Sequence, residues 1–74
     1  MRYILDTNGH LCPFPLMEAK KKIAELAVGD ELLIQFTCAE ATENLPRWAA
    51  ENGYPVTHFA QVDDAAWEIV IQKA

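Results

Sequence analysis

The sequence predicts an α/β (α+β) two-layer sandwich of order β-α-β-α-β-β, with a mixed four-stranded sheet and two helices on one face. Three observations predict it. Short strand-like runs are separated by two stretches whose apolar residues recur at helical spacing. The strand-like runs alternate apolar and polar, leaving one apolar side for both helices to cover. The last two runs are divided only by "DDA", which is hairpin length.

The first strand is "RYILD", an apolar run closed by the turn signal "TNG". From Pro15 to Ala27 the residues Leu16, Ala19, Ile23 and Leu26 fall on one helical stripe flanked by lysines, and Gly29-Asp30 supplies a stop. "ELLIQFT" follows as the second strand, with Leu32, Ile34 and Phe36 on one face. In "CAEATENLPRWAAENG", Ala41, Leu45, Trp48 and Ala49 have helical spacing and Gly53 is the stop. Taking Asn44 as N-cap sets Pro46 in the first turn, where its missing N–H costs nothing. That choice leaves 39–43 irregular or loosely helical and starts the helix proper after it. "YPVTHFAQV" and "AWEIVIQK" form the closing hairpin, with Trp67, Ile69 and Ile71 facing inward. Strands joined by a helix in so short a chain are parallel neighbours with a right-handed crossover, and the hairpin adds antiparallel pairing.

A chain of 74 residues makes a single domain, 1–74, which buries only about 60% of its unfolded surface and so has a thin core. No apolar run approaches the ~20 residues that span a bilayer. The opening "MRYILDTNG" lacks the apolar centre of a secretory signal, which makes a cytoplasmic location the expectation. A net charge of −5 excludes direct nucleic-acid binding as a main role, because phosphate contacts need clustered cations. Two cysteines, Cys12 and Cys38, are too few for a disulfide scaffold and lack paired zinc spacing; neither metal nor cofactor is expected. In a reducing compartment the more interesting use for these thiols is reactive chemistry.

The stretch "GHLCPFPLMEAKKK" carries that chemistry. Cys12 stands just ahead of the first helix, where the unpaired N–H groups of the first turn favour a thiolate. Pro15 suits a helix opening, and Pro13 holds Cys12 extended. The competing reading is a small buried hydrophobe, the common fate of a free cysteine. His10 is either a base or anion-holding group beside Cys12 or a loop histidine without further role. His58, in a strand, is expected to be only a packed or exposed side chain. Lys20, Lys21 and Lys22 form either a solvated helix face or a docking surface for an acidic partner, with Lys21 the leading contact. They lie about two helical turns from Cys12, too far for direct thiolate pairing.

"LDTNGHLCPFPLMEAKKKI", followed by "VGDELLIQFTCAEATENLPRWAAENGY", resembles the TusA/SirA family of small sulfur-carrier proteins. The family signature is Gly-x-x-Cys-Pro-x-Pro leading into a helix with paired lysines, and the similarity runs along nearly the whole chain. The likeness is greatest to the YeeD branch, through "CPFPL", "AAW" and a "QKA" ending. The resemblance implies the same β-α-β-α-β-β sandwich. It also implies that Cys12 takes sulfur as a persulfide and passes it on or releases sulfide, a sulfurtransferase-like activity through one nucleophilic cysteine. The YeeD branch implies thiosulfate as the sulfur source and a YeeE-type membrane permease as partner, recruiting the protein to the inner face of the membrane.

One departure stands out. Many family members carry Thr-Asp-Pro after the second strand, where this chain has Thr37-Cys38-Ala39. That change fits the thiosulfate-linked branch better than a tRNA-thiolation role. Parallel neighbouring strands set Cys12 and Cys38 at one sheet edge, where open α/β sheets bind ligands. Cys38 there either resolves a persulfide or is simply packed. Two alternatives remain beside the sulfur carrier: a dithiol redox protein using Cys12 and Cys38, and a non-catalytic interaction module using the lysine face.

Overall fold

The structure is a computed structural model that describes residues 2–9 and 14–74. Its elements run β1 (Arg2–Thr7), α1 (Phe14–Ile23), β2 (Glu31–Phe36), α2 (Ala41–Glu51), β3 (Val56–Asp63) and β4 (Ala66–Gln72). The strands make one four-stranded sheet of order β1-β2-β4-β3. β1 and β2 pair in parallel, from Arg2↔Glu31 to Thr7↔Phe36. β4 pairs antiparallel with β2 and with β3, so the sheet is mixed as the sequence predicts.

Alternation in β2 decides which side is inside. Leu32, Ile34 and Phe36 are fully buried, and their β4 neighbours Ile69 and Ile71 join them. From α1 come Ala19 and Ile23, and from α2 come Ala41, Leu45, Trp48 and Ala49. Both predicted helical stripes are therefore the buried ones. Phe36 lies within 5.8 Å of the Trp67 ring, stacked on it, and 6.3 Å from Phe59.

The helix boundaries differ from the sequence expectation. α1 ends at Ile23 and does not run on to Ala27. Glu25 and Leu26 instead donate to carbonyls three residues back, Lys22 and Ile23, which tightens the chain out of the α-helix. One distant group and one local group hold this end. Lys73 Nζ donates to the Ile23 carbonyl at 3.0 Å, an ammonium at the negative end of the helix dipole. Asp30 Oδ2 accepts the Ala27 N–H at 3.1 Å.

α2 begins at Ala41 with Glu40 as its cap, so 41–43 are helical and Pro46 lies inside the helix. Winding starts earlier because Ala41, Thr42 and Glu43 donate to the carbonyls of Cys38, Ala39 and Glu40, each at 3.1 Å. The Thr42 hydroxyl adds a 2.6 Å bond to the Ala39 carbonyl. A proline inside a helix costs about 3 kcal/mol. Against that cost, the earlier start buries Ala41 on the stripe of Leu45 and Trp48. At the other end Gly53 (φ 72°) takes the left-handed conformation. Tyr54 N–H then reaches the Ala49 carbonyl at 2.8 Å and Gly53 N–H the Ala50 carbonyl at 3.2 Å, closing the helix as a Schellman turn.

Candidate functional site

Parallel pairing brings the carboxyl ends of β1 and β2 to one edge of the sheet, and α1 starts from the same edge. Thr7, the last residue of β1, is fully buried, and its hydroxyl donates to the Gln35 carbonyl at 2.7 Å. The chain turns after it: Asn8 N–H donates to Asp6 Oδ1 at 2.9 Å. Gly9 follows with φ 83°, a backbone region that a side chain makes costly, and its N–H donates to Thr37 Oγ1 at 2.9 Å. The loop leaving β1 is thus tied to the first residue after β2. His10, Cys12 and Pro13 lie outside the described residues, between Gly9 and Phe14.

Cys38 follows Thr37 directly. It is 7% exposed and belongs to the hydrophobic core, while its carbonyl accepts the Ala41 N–H that opens α2. On the far side of the motif Pro15 is buried in the first turn of α1, a position whose N–H has no intrahelical partner. No acidic residue occupies that first turn. The positive end of the helix is therefore left for an anion from outside α1.

The three lysines separate into two kinds. Lys22 pairs with Glu25 at 3.6 Å and its ammonium sits 5.5 Å from the centre of the Tyr3 ring. Lys20 and Lys21 are exposed and, among the described residues, enter no ion pair. All three stand in the last turn, where they complement the helix dipole. Lys21 also borders a shallow groove of about 140 Å³ with Leu5, Glu18, Lys22 and Glu25.

Two residues unremarked in the sequence join this face. Phe14 is 49% and Met17 54% exposed. With Lys21 they repeat at helical spacing, in the phase opposite the buried Ala19 and Ile23. That phase was the available signal: an apolar residue on the lysine side of an amphipathic helix is exposed by construction.

His58 is not brought to this edge. It lies on the sheet face away from the helices, half-exposed, with Nε2 3.0 Å from Glu68 Oε1. A wide depression of about 580 Å³ opens on that same face, lined by residues that include Arg2, Glu31, Leu33, His58 and Glu68. Among the described residues, no group of three or more His, Cys, Asp and Glu side chains is placed to hold a metal ion. Among them, too, no helix is long and apolar enough to cross a membrane.

Comparison with known proteins gives this geometry a family. The family model described as "Sulfurtransferase TusA" matches residues 3–73. A protein of Escherichia coli K12 named "Putative sulfur carrier protein TsuB" is 54% identical over 70 residues, covering 95% of this chain and 93% of that one. A protein of Methanocaldococcus jannaschii, also named as a sulfur carrier, is 39% identical over 69 residues, covering 93% of this chain and 91% of its own. The crystal structure of a SirA-like protein from Desulfitobacterium hafniense superposes with a TM-score of 0.84 at 29% identity, covering 97% of this chain and 96% of that chain. Matched from 3 to 73 and sharing the two-helix, four-stranded architecture, the chain belongs to the TusA sulfurtransferase family of sulfur carriers.

Proposed function

We propose that this protein carries sulfur from thiosulfate as a persulfide on Cys12 and works beside a YeeE-type permease in the cytoplasm. The observation that supports it most is the tie between Gly9 N–H and Thr37 Oγ1. That bond anchors the loop leading to Cys12 against β2, ahead of a helix whose first turn contains no acid. A thiolate there gains from the helix terminus. Its attack on the outer sulfur of thiosulfate forms the S–S bond of the persulfide and expels sulfite with the bonding pair. Sulfur then passes to an acceptor thiolate by the same displacement. The exposed Lys20 and Lys21 supply a salt-screened attraction for an acidic partner surface.

The same tie favours a second reading, because Cys38 is the residue after Thr37. A Cys38 thiol that attacked the inner sulfur of the Cys12 persulfide would release hydrosulfide and leave a Cys12–Cys38 disulfide. An external dithiol would then restore both thiols.

Reduced protein incubated with thiosulfate, followed by intact mass and sulfide and sulfite assays, tests both. Wild type is expected to gain one sulfur atom and release one sulfite for each site loaded. Cys12→Ser should do neither, and loading by that variant overturns the carrier reading. Cys38→Ser should load normally. If it loads but releases no sulfide where wild type does, the second reading stands; if it cannot load, both cysteines act in the first step.

A further inference from the structure

β1 is one margin of the sheet, and its register with the inner strands aligns side chains into rows on the face away from the helices. Ile4, Leu33 and Val70 stand in one cross-strand row. On one side of that row lie Arg2, Glu31 and Gln72, and on the other Asp6, Gln35 and Glu68. The apolar row is 1% exposed at Val70 but 66% exposed at Ile4, where it runs out at the sheet margin. A strand at a margin offers a line of outward N–H and C=O groups to another strand.

We infer that β1 pairs antiparallel with β1 of a second copy about a two-fold axis at Ile4, extending the sheet to eight strands. In that register Ile4 meets Ile4, so the apolar row continues through both copies. Arg2 of each copy meets Asp6 of the other, an opposite-charge pair made twice by the symmetry. On the helix side Tyr3 meets Leu5, both half-buried in the single chain and packed against its core. Beyond them the groove at Leu5 presents both signs, from Glu18 and Glu25 and from Lys21 and Lys22, so α1 faces its symmetry mate without a block of like charge.

The other margin does not serve. β3 has register breaks between Val56 and His58 and between Gln61 and Asp63, and such bulges turn an edge away from pairing. β1 has an unbroken register from Arg2 to Thr7. A ladder of this length makes an interface at the small end of the usual range, so the dimer dissociates on dilution.

Sedimentation equilibrium of the reduced full chain over a range of concentration tests the proposal. The mass is expected to rise from the 8.3 kDa of one chain toward twice that value. Ile4→Lys sets two ammonium groups on the axis and should weaken association at least tenfold with an unchanged circular dichroism spectrum. Arg2→Asp should weaken it as well, and adding Asp6→Arg should restore it by exchanging the paired charges. A chain that stays monomeric throughout, or a dimer that survives Ile4→Lys, overturns the proposal. Sulfur loading at Cys12 is read separately by mass and should persist in Ile4→Lys, so failure of either idea is distinguishable from failure of the other.

Discussion

At one margin of the sheet β1 keeps unbroken register with β2 and packs Tyr3 and Leu5 against the core, with α1 alongside. At the other margin β3 is bulged twice and exposed along its length except at the half-buried Ala60. The cause lies in how each pair of strands is joined. Parallel β1 and β2 need a crossover, and a crossover helix must lie back on the sheet beside the strands it connects. β3 and β4 are joined by a tight turn, which adds no helix. One margin therefore acquires cover, a tied loop and the start of a helix. The other has an aromatic ring, Phe59, that remains 43% exposed.

The contrast is sharpest in two phenylalanines whose rings lie 6.3 Å apart. Phe36 is fully buried and also stacks on Trp67. Phe36→Ala is expected to cost about 3–5 kcal/mol. Phe59→Ala, removing a ring already half in water, should cost under about 1.5 kcal/mol. Urea midpoints read the difference, and Phe36→Leu grades it where the alanine variant does not fold. Equal losses at both positions would refute the contrast.

A smaller effect on stability separates the margins by function. Thr37→Val removes the acceptor of the Gly9 N–H at nearly constant volume, for about 0.5–1.5 kcal/mol. Sulfur loading at Cys12 should slow with it. Gln61→Ala is the counterpart at the β3 end, where Gln61 Nε2 donates to the carbonyls of Asp63 at 3.0 Å and Asp64 at 3.1 Å. Its stability loss should be similar and its loading rate unchanged. Slowed loading in both variants would mean that local rigidity anywhere suffices.

The smallest expected change falls on the lysines of α1. Lys22→Ala loses the Glu25 and Tyr3 contacts, worth about 0.2–1 kcal/mol for exposed groups. Lys20→Glu with Lys21→Glu should leave the urea midpoint within about 0.5 kcal/mol, as surface changes usually do. The double variant should weaken binding to detergent-solubilised YeeE-type permease, most at low salt. Unchanged affinity removes these lysines from the docking surface.

Much of this was legible beforehand because burial imposes a period on the sequence. Leu32, Ile34 and Phe36 alternate, and Ala41, Leu45, Trp48 and Ala49 return each helical turn; all are in the core. Helix ends were less legible. α1 stops at Ile23, held by Lys73 from the last residues of the chain, and no window of local sequence contains both. Pro46 misled for a related reason: local rules set it in a first turn, whereas the buried stripe wound the helix from Ala41.

The sequence by itself determined the element order, the inward faces of α1, β2, α2 and β4, the mixed sheet, and the family through its Cys-Pro-x-Pro motif. Those properties depend on residues near one another along the chain, where spacing and backbone chemistry act directly. Only the tertiary structure decided that Gly9 meets Thr37, that Lys22 and not Lys21 is occupied by Tyr3 and Glu25, and that Ile4 ends an apolar row at an open margin. Each joins residues or strands whose relative placement follows from sheet register, and register is settled by packing the whole core at once.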